Sequence, residues 1–284
     1  MRKGLMIAAA LALAAATGAR GEPPPGTALT PGEVSAEAND LRAAFNAEVR
    51  QRVPHNAAAD ALWVRRAKAA LAASGYVVTR PQLIVAVDRN PRVQRLAIVL
   101  AEPDPGPEWQ VIGASKVSTG QAGRKYYYIT PTGVFRHTDA ILDYRAEGTF
   151  NQNHIRGLGL AGMRVWDFGW QEARKGWQGN GDSGQIRLLM HATDPDYLEP
   201  RLGRPASEGC VRIPDSMNRF LDVHGVLDAD YERAAADDIR YRALLLPDRR
   251  PTKLAGDVLV IFDSAAPPAA VQEARQPLPA SGGG

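Results

Sequence analysis

The sequence predicts an α+β protein, mainly β with helices, in which a small helical segment precedes a β-rich domain. Hydrophobic residues make up 45% of the 284 residues and charged residues 23%, which is typical of a globular chain with a buried core. Near Gln82 the hydrophobic pattern changes from helical spacing to short β-rich runs. This change marks the boundary between the two parts of the chain.

Residues 1–21 resemble a secretory signal peptide. Arg2 and Lys3 precede an apolar run over residues 5–16, which is shorter than the roughly 20 residues that a membrane-spanning helix needs. We therefore expect cleavage, a periplasmic or cell-envelope location, and no stable membrane insertion afterwards. Residues 22–32 are rich in proline and glycine and are predicted to form a flexible tether.

The formal net charge of +3 belongs to this leader. Residues 1–21 contain three basic residues and no acidic residue, so a chain cleaved after residue 21 has equal numbers of basic and acidic side chains. The rest of the sequence has no basic stripe with interleaved aromatic residues. We therefore expect no nucleic-acid partner.

Residues 33–80 form the predicted helical segment. Residues 33–52 and 57–73 have helical composition, Pro54 separates them, and Gly75 follows the second. In the first, apolar residues recur at spacings of three and four: Val34, Ala38, Leu41, Phe45 and Val49. We expect this segment to pack against the main domain, and binding to another molecule remains the alternative.

The predicted β-rich domain covers residues 81–263, and residues 264–284 are predicted to be a disordered tail. A hairpin is expected around the turn Asp88-Arg89-Asn90-Pro91. The predicted strands are residues 83–87, 93–100, 109–117, 186–191 and 258–262, and residues 215–223 and 228–245 have helical composition.

Cys210 is the only cysteine of the chain. It therefore excludes an internal disulfide and any cysteine-rich zinc site. A free thiol in an oxidising compartment is liable to oxidation. Composition leaves two interpretations open, a small buried hydrophobic residue or a nucleophile.

His191 is the candidate base for this thiol, because an adjacent imidazole can take the proton of a cysteine. It ends an apolar strand immediately before a turn, where side chains often face a cleft. Gly209 lets the backbone pass close to a substrate, and the amides of Gly209 and Cys210 are candidate donors to an oxyanion. The spacing alone is not specific, since such a pair occurs by chance in many folds.

Four segments along the chain add specificity when they are taken together. They are residues 83–91 with Val93 and Gln94, residues 116–120 with 130–135, Met190 with His191, and residues 207–212. In sequence and in order they resemble the L,D-transpeptidase family, which has a YkuD-type catalytic domain. The resemblance extends over most of residues 81–263.

This resemblance implies a β-sandwich with a covering helix and a substrate in peptidoglycan. The family's cysteine attacks the bond between the third residue of a donor stem tetrapeptide and its terminal D-alanine. The acyl group then passes to the side-chain amine of an acceptor stem, which gives a 3→3 cross-link. By position, Cys210 is the nucleophile, His191 is the base and later the acid, and the carbonyl of Ala192 orients the imidazole. The resemblance implies no cofactor and no metal.

Five further residues are candidates for substrate binding. Ser207 and Arg212 occupy motif positions that shape the loop or contact the substrate. Arg204 and Arg212, together with Arg201 outside this set, are candidates for binding a stem carboxylate. Met190 and Glu208 complete the set because they adjoin His191 and Gly209.

Glu208 stands where the family usually has a histidine. A carboxylate that points at a thiol opposes thiolate formation and raises the pKa of the thiol. Glu208 therefore faces outward or pairs with Arg204 or Arg212, or the chain is a variant with altered activity. We expect the first arrangement, because His191 and Cys210 both remain.

Parts of the sequence suggest three other functions, of which the third fits poorly. The same Cys–His site acts as an L,D-carboxypeptidase or endopeptidase if water resolves the acyl-enzyme. A non-catalytic cell-wall-binding module is supported by Glu208 alone. A serine hydrolase built from Ser207, Asp222 and His224 does not suit the order and spacing of those residues. The remaining histidines are expected at the surface or in packing, not as metal ligands.

Overall fold

A computed structural model describes residues 28–266. The signal peptide predicted over residues 1–21, most of the predicted tether and residues 267–284 lie outside the described residues. The helices are α1 (Pro31–Glu48), α2 (Ala57–Ser74), α3 (Asp215–Val223), α4 (Ala229–Ala234) and α5 (Ile239–Leu244). The strands are β1 (Gln82–Asp88), β2 (Arg95–Ala101), β3 (Gln110–Lys116), β4 (Gly133–Arg136), β5 (Tyr144–Arg145), β6 (Arg164–Arg174), β7 (Ser183–Ala192), β8 (Val211–Ile213) and β9 (Val258–Phe262). The predicted α+β class is confirmed.

The strands form two sheets that share one hydrophobic core. The first sheet has the order β3-β2-β1-β9-β4, and the second has the order β5-β6-β7-β8. β9 pairs parallel to β1, and β8 pairs parallel to β7. Side chains of both sheets and of α3 meet in the shared core, among them Leu83, Val85, Trp166, Phe168, Met190, Phe220 and Leu221. This arrangement is sandwich-like, with α3 packed against the same core.

The helical segment packs against the sheets, as expected. α1 inserts its apolar side chains Val34, Ala38, Leu41 and Phe45 into the shared core. α2 buries Trp63, Ala67, Ala70 and Leu71 against the opposite face of the first sheet. The two helices therefore cover different parts of the sandwich.

α1 begins earlier than the sequence predicted. Thr30 and Glu33 form a capping box, in which the Glu33 amide donates to the Thr30 hydroxyl and the Thr30 amide donates to the Glu33 carboxylate, at 3.3 and 2.8 Å. Proline is tolerated in the first turn of a helix, where its missing N–H needs no partner. The tether prediction was therefore wrong for Pro31 and Gly32.

Two other predictions need correction. The predicted helix over residues 228–245 is two short helices, because the side chain of Asp238 accepts from the Arg240 amide at 2.8 Å and starts α5 separately. Ser264 was predicted to be disordered, but its amide donates to Asp88 at 3.1 Å and its hydroxyl accepts from Asn90 at 2.9 Å. Within residues 28–266, no helix is long and apolar enough to cross a membrane.

Candidate active site

The register between β7 and β8 determines which side chains meet at the site. Met190 pairs with Val211, and both are fully buried in the shared core. Side chains alternate between the two faces of a strand. His191 therefore points to the opposite face of the second sheet, which is called its outer face below. The prediction that Met190 binds substrate was wrong, because its side chain lies on the core side.

Cys210 and His191 share this outer face on neighbouring strands. Arg212 pairs with His191, and the same register places Cys210 beside Leu189. Neighbouring strands lie about 4.8 Å apart, so the thiol and the imidazole are diagonal neighbours on one surface. The structure thus brings together the two residues that the sequence singled out.

The imidazole of His191 is fixed by the main chain. Its Nδ1–H donates to the carbonyl oxygen of Ala192 at 2.6 Å, which leaves Nε2 as the ring nitrogen with a free lone pair. Burial lowers the pKa of His191 to about 4, and the charge of Arg212 adds to the shift. At neutral pH the ring is uncharged and able to accept a proton.

The thiol of Cys210 is half-buried, and burial raises its pKa. A hydrogen bond from the main chain of Leu189 and the charge of Arg212 oppose this shift, whereas Glu208 and Asp167 add to it. The resting pair at neutral pH is therefore a thiol beside a neutral imidazole, and proton transfer accompanies attack on a substrate.

The loop before Cys210 is shaped by Ser207. Its hydroxyl donates to the carbonyl of Cys210 at 2.6 Å and accepts from the amide of Gly209 at 3.2 Å. Gly209 has a φ of 137°, and a Cβ added there would lie 2.8 Å from the side chain of Ile186. This position therefore favours glycine chiefly for its backbone conformation, since the Ile186 methyl is the end of a flexible side chain.

The candidate oxyanion hole differs from the sequence prediction. The Gly209 amide is already bound to Ser207, so it is not a free donor. Within residues 28–266, the amide of Cys210 has no hydrogen-bond acceptor. Cys210 therefore supplies the remaining main-chain donor beside the thiol.

Hydrogen bonds join the segments that carry the family resemblance. The side chain of Gln94 accepts from the amide of Thr119 at 2.7 Å, and the carbonyl of Thr119 accepts from the amide of Ser207 at 3.0 Å. The hydroxyl of Thr130 donates to the carbonyl of Gly209 at 2.7 Å. The distant segments thus hold one loop in place, which is a physical reason for their occurring together.

Glu208 is exposed and Arg204 is exposed. In the described part of the chain, Glu208 makes no ion pair within 4.0 Å, so the alternative of a pair with Arg204 or Arg212 is absent there and the outward orientation is found. Arg212 donates from Nη1 to the carbonyl of Ala206 at 3.1 Å, and its Nε is buried without a hydrogen-bond partner. Arg212 therefore keeps unused hydrogen-bonding capacity close to the thiol.

The serine hydrolase alternative is not supported by the structure. Asp222 forms an ion pair with Arg145 at 2.8 Å, and His224 bonds to Glu48 at 3.0 Å. The Ser207 hydroxyl is instead bound to the main chain of its own loop. Across residues 28–266, no group of three or more histidine, cysteine or acidic side chains is placed to hold a metal ion.

Two outer-face residues near Cys210 were not assigned individually from the sequence, although one of them, Asp167, lies in the stretch 157–171 that was a candidate for lining the substrate cleft. Arg187 is two residues before Leu189 and shares its face, and Asp167 of β6 pairs with Leu189. Arg187 donates to the carboxylate of Asp167 at 2.8 Å. Alternation along the strand from Arg187 to His191 was the available signal for Arg187. Asp167 could be assigned to this face only once the pairing of β6 with β7 was known.

A thiol and a neutral imidazole on adjoining strands form the arrangement used in cysteine-dependent acyl transfer. Residues 94–225 match the family model YkuD, described as the L,D-transpeptidase catalytic domain. The match confirms, over these residues, the resemblance predicted from the four segments. No curated protein matches the chain significantly.

The folded unit is larger than the matched segment. β1 precedes residue 94 and β9 follows residue 225, yet both lie inside the first sheet. The segment that matches the family therefore depends on strands from both sides of it for a complete sandwich.

Proposed function

We propose that this protein is an exported peptidoglycan L,D-transpeptidase that forms 3→3 cross-links through a cysteine acyl-enzyme. The observation that carries the proposal is the geometry of His191. Its Nδ1 is committed to the Ala192 carbonyl, and its free Nε2 lies on the same sheet face as Cys210, in a domain of this family.

Acylation begins with the neutral imidazole. His191 takes the thiol proton at Nε2 as the sulfur of Cys210 attacks the carbonyl carbon of the donor stem's third residue. The amide of Cys210 donates to the oxyanion that forms, and such a donor is worth about 3–4 kcal/mol in the transition state. The peptide C–N bond then breaks, and His191 returns the proton to the departing amine of D-alanine. A thioester on Cys210 remains.

Deacylation uses the same groups in reverse. The side-chain amine of an acceptor stem attacks the thioester and loses a proton to His191. An amide bond forms, the C–S bond breaks, and the proton returns to the sulfur of Cys210. If water attacks instead, the same site releases a tripeptide and acts as a carboxypeptidase.

The neutral resting pair suits a free cysteine in an oxidising compartment. The thiolate is the form that oxidants attack, and the raised pKa of Cys210 keeps the thiolate population small until a substrate arrives. This property supports a working thiol outside the cytoplasm.

Export rests on residues 1–21 alone, with Arg2 and Lys3 before the apolar run. The test is the intact mass of the protein recovered from the cell envelope, with cleavage expected after residue 21. Recovery of the uncleaved chain from the cytoplasm would contradict this part of the proposal.

The central test is incubation of the protein with a stem tetrapeptide, with and without an amine acceptor, followed by mass spectrometry. We expect an adduct on Cys210 and, with acceptor, a cross-linked dimer. Cys210→Ala should lose both products and keep the wild-type melting temperature, because a half-buried thiol contributes little packing.

Other results of this incubation would contradict the proposal in different ways. Unchanged cross-linking by Cys210→Ala would contradict the nucleophile assignment. A tripeptide product without any dimer would identify a hydrolase, and stem binding without an adduct would identify a wall-binding module.

A further inference from the structure

A group of charged and aromatic side chains lies on the outer face beside the nucleophile. Its members are Tyr144, Asp167, Trp170 and Arg187, which are called the outer-face cluster. Asp167 pairs with Leu189, the neighbour of Cys210, and Trp170 pairs with Arg187 one step further along β7. The acyl-transfer chemistry described above does not use these side chains.

A β-bulge brings Trp170 to this face. The pairing of β6 with β7 shifts between Asp167 and Trp170, and Gly169 within the shift has a φ of 75°. If β6 paired regularly here, alternation would place Trp170 on the core face together with Phe168. Instead 50% of Trp170 is exposed, and its ring centre lies 5.9 Å from the guanidinium of Arg187. Bulges beside active sites commonly redirect one side chain in this way.

Arg187 is anchored at one end and exposed at the other. Its Nε donates to both carboxylate oxygens of Asp167, at 2.8 and 3.1 Å. The side chain of Asp167 is 4% exposed, whereas that of Arg187 is 44% exposed. Within residues 28–266, the two Nη groups of Arg187 have no acceptor. A positioned guanidinium with free donors is suited to bind a carboxylate.

Tyr144 shows that the cluster borders the nucleophile. Burial raises the pKa of Tyr144, the charges of Asp167 and Cys210 raise it further, and that of Arg187 opposes them. Tyr144 pairs with Val165, which pairs with His191, so its side chain lies on the same face as His191, two strands away.

The position of His191 indicates which part of a donor would reach Arg187. His191 and Arg187 lie on opposite sides of Leu189 along β7, about 13 Å apart at about 3.3 Å per residue. The departing amine must lie beside His191, because the imidazole protonates it. The acyl part of the donor then extends from Cys210 toward Arg187.

We propose that Arg187, held by Asp167 and flanked by Trp170, binds a carboxylate on the side chain of the donor's third residue. The site then selects stems whose diamino acid carries a second carboxylate beside its side-chain amine. This inference rests on the proposed function and identifies the substrate class of the same site.

The experiment compares three synthetic tetrapeptide donors. One carries meso-diaminopimelate as its third residue, the second carries the side-chain carboxamide of that residue, and the third has an amide only at the terminal D-alanine. D-Alanine release, or D-alaninamide release from the third donor, gives kcat/KM for the wild type and for Arg187→Gln. Arg219→Gln is the matched control, because it removes an exposed arginine from α3.

The wild type should lose about 10- to 100-fold in kcat/KM on the side-chain carboxamide, the loss expected for a charged hydrogen bond, with most of it in KM. Arg187→Gln should treat the first two donors alike, and Arg219→Gln should behave as the wild type. Arg187→Lys keeps the positive charge but lacks the paired N–H donors of a guanidinium. It should therefore recover only part of the preference for the donor with the free side-chain carboxylate.

Three results would overturn the inference. The first is a retained preference in Arg187→Gln. The second is a wild type that discriminates only the terminal amide, and the third is a wild type that accepts all three donors equally. If Arg187→Gln does not fold, the wild-type preference and Arg187→Lys decide the matter. Failure of the wild type to form an acyl-enzyme with any donor would instead refute the proposed function.

Discussion

Two buried histidines in this molecule reach opposite protonation states. His191 is 3% exposed and His137 is 1% exposed. Among the described residues, His191 has one hydrogen-bond partner, the Ala192 carbonyl, and burial lowers its pKa to about 4. Both ring nitrogens of His137 face acceptors, Leu227 and Asp143 at 2.8 Å each, and its pKa is raised although burial alone would lower it. Both rings are buried, so the hydrogen-bond acceptors around each ring, and not its burial, decide whether the histidine is charged.

The surroundings of His137 form a closed ionic network. Asp143 also accepts from Arg164 at 2.8 Å, and Arg164 reaches Asp228 at 3.2 Å. The network brings four carboxylates, Asp143, Asp222, Asp228 and Glu232, together with Arg145, Arg164, Arg249 and His137. Its charges balance when His137 is protonated. The catalytic region needs an uncharged ring, and this structural region needs a charged one.

The largest expected effect lies in the catalytic region. His191→Gln removes the base and should slow acyl-enzyme formation by about 10²–10⁴-fold, because general-base catalysis contributes that much. The melting temperature should change by only a few degrees.

In the wild type, kcat/KM should decrease at low pH with a midpoint near pH 4, since His191 is protonated below its pKa of about 4. A midpoint near pH 6.5 would contradict a buried, neutral base.

The next effect lies in the ionic network. His137→Gln leaves the buried carboxylate of Asp143 with one cation fewer, and breaking such a pair costs about 3–5 kcal/mol of unfolding free energy. Chemical denaturation measures the loss, and the activity of the remaining folded protein should be unchanged. His55→Gln is the control, because it removes a more exposed pair with Asp60 that is worth about 0–1 kcal/mol. Equal losses in the two variants would contradict the network's role.

The same network predicts a pH dependence of stability. The pKa of His137 is raised in the folded state above the ordinary value of about 6.5. Its contribution is therefore complete below pH 6.5 and is lost as pH rises through the raised folded pKa. The free energy of unfolding should decrease from pH 6.5 upward in the wild type, and this part of the decrease should be missing in His137→Gln.

The smallest effect concerns Glu208. Its charge raises the pKa of the Cys210 thiol from an exposed position. Glu208→Gln should therefore increase the rate of iodoacetamide alkylation at pH 7.5 by about two- to fivefold, since exposed charges contribute less than about 1 kcal/mol. Added salt should reduce the difference. Glu147→Gln, another exposed change, is the control, and a hundredfold increase would mean that the carboxylate faces the thiol.

The sequence predicted the elements with long apolar runs or clear periodicity. β1, β2, β3, β7 and β9 are of this kind, and so are α1, α2 and α3. The strands β4, β5 and β8 are four, two and three residues long, which is too short for a pattern. Their conformation depends on pairing with distant strands, and pairing cannot be obtained from local sequence.

The site shows the same difference between features encoded locally and features that depend on strand pairing. Cys210 and His191 were predicted because their chemistry and their motifs are local. Met190 was predicted to bind substrate because it adjoins His191. Consecutive residues of a strand face opposite sides of the sheet, so its side chain lies in the core. The Arg187–Asp167 pair was missed, because a hairpin with a bulge brings the two residues together.

The order of synthesis has a consequence for how this molecule assembles. β9 lies between β1 and β4, so the strand that completes the first sheet is the last element of residues 28–266 to be made. Joining β1 to β9 closes a loop that contains nearly all of the domain, a step that is costly in chain entropy and slow. A nascent chain thus stays without its complete first sheet until Val258–Phe262 has been made. The export proposed above requires a chain that has not finished folding, and the late synthesis of β9 is compatible with that requirement.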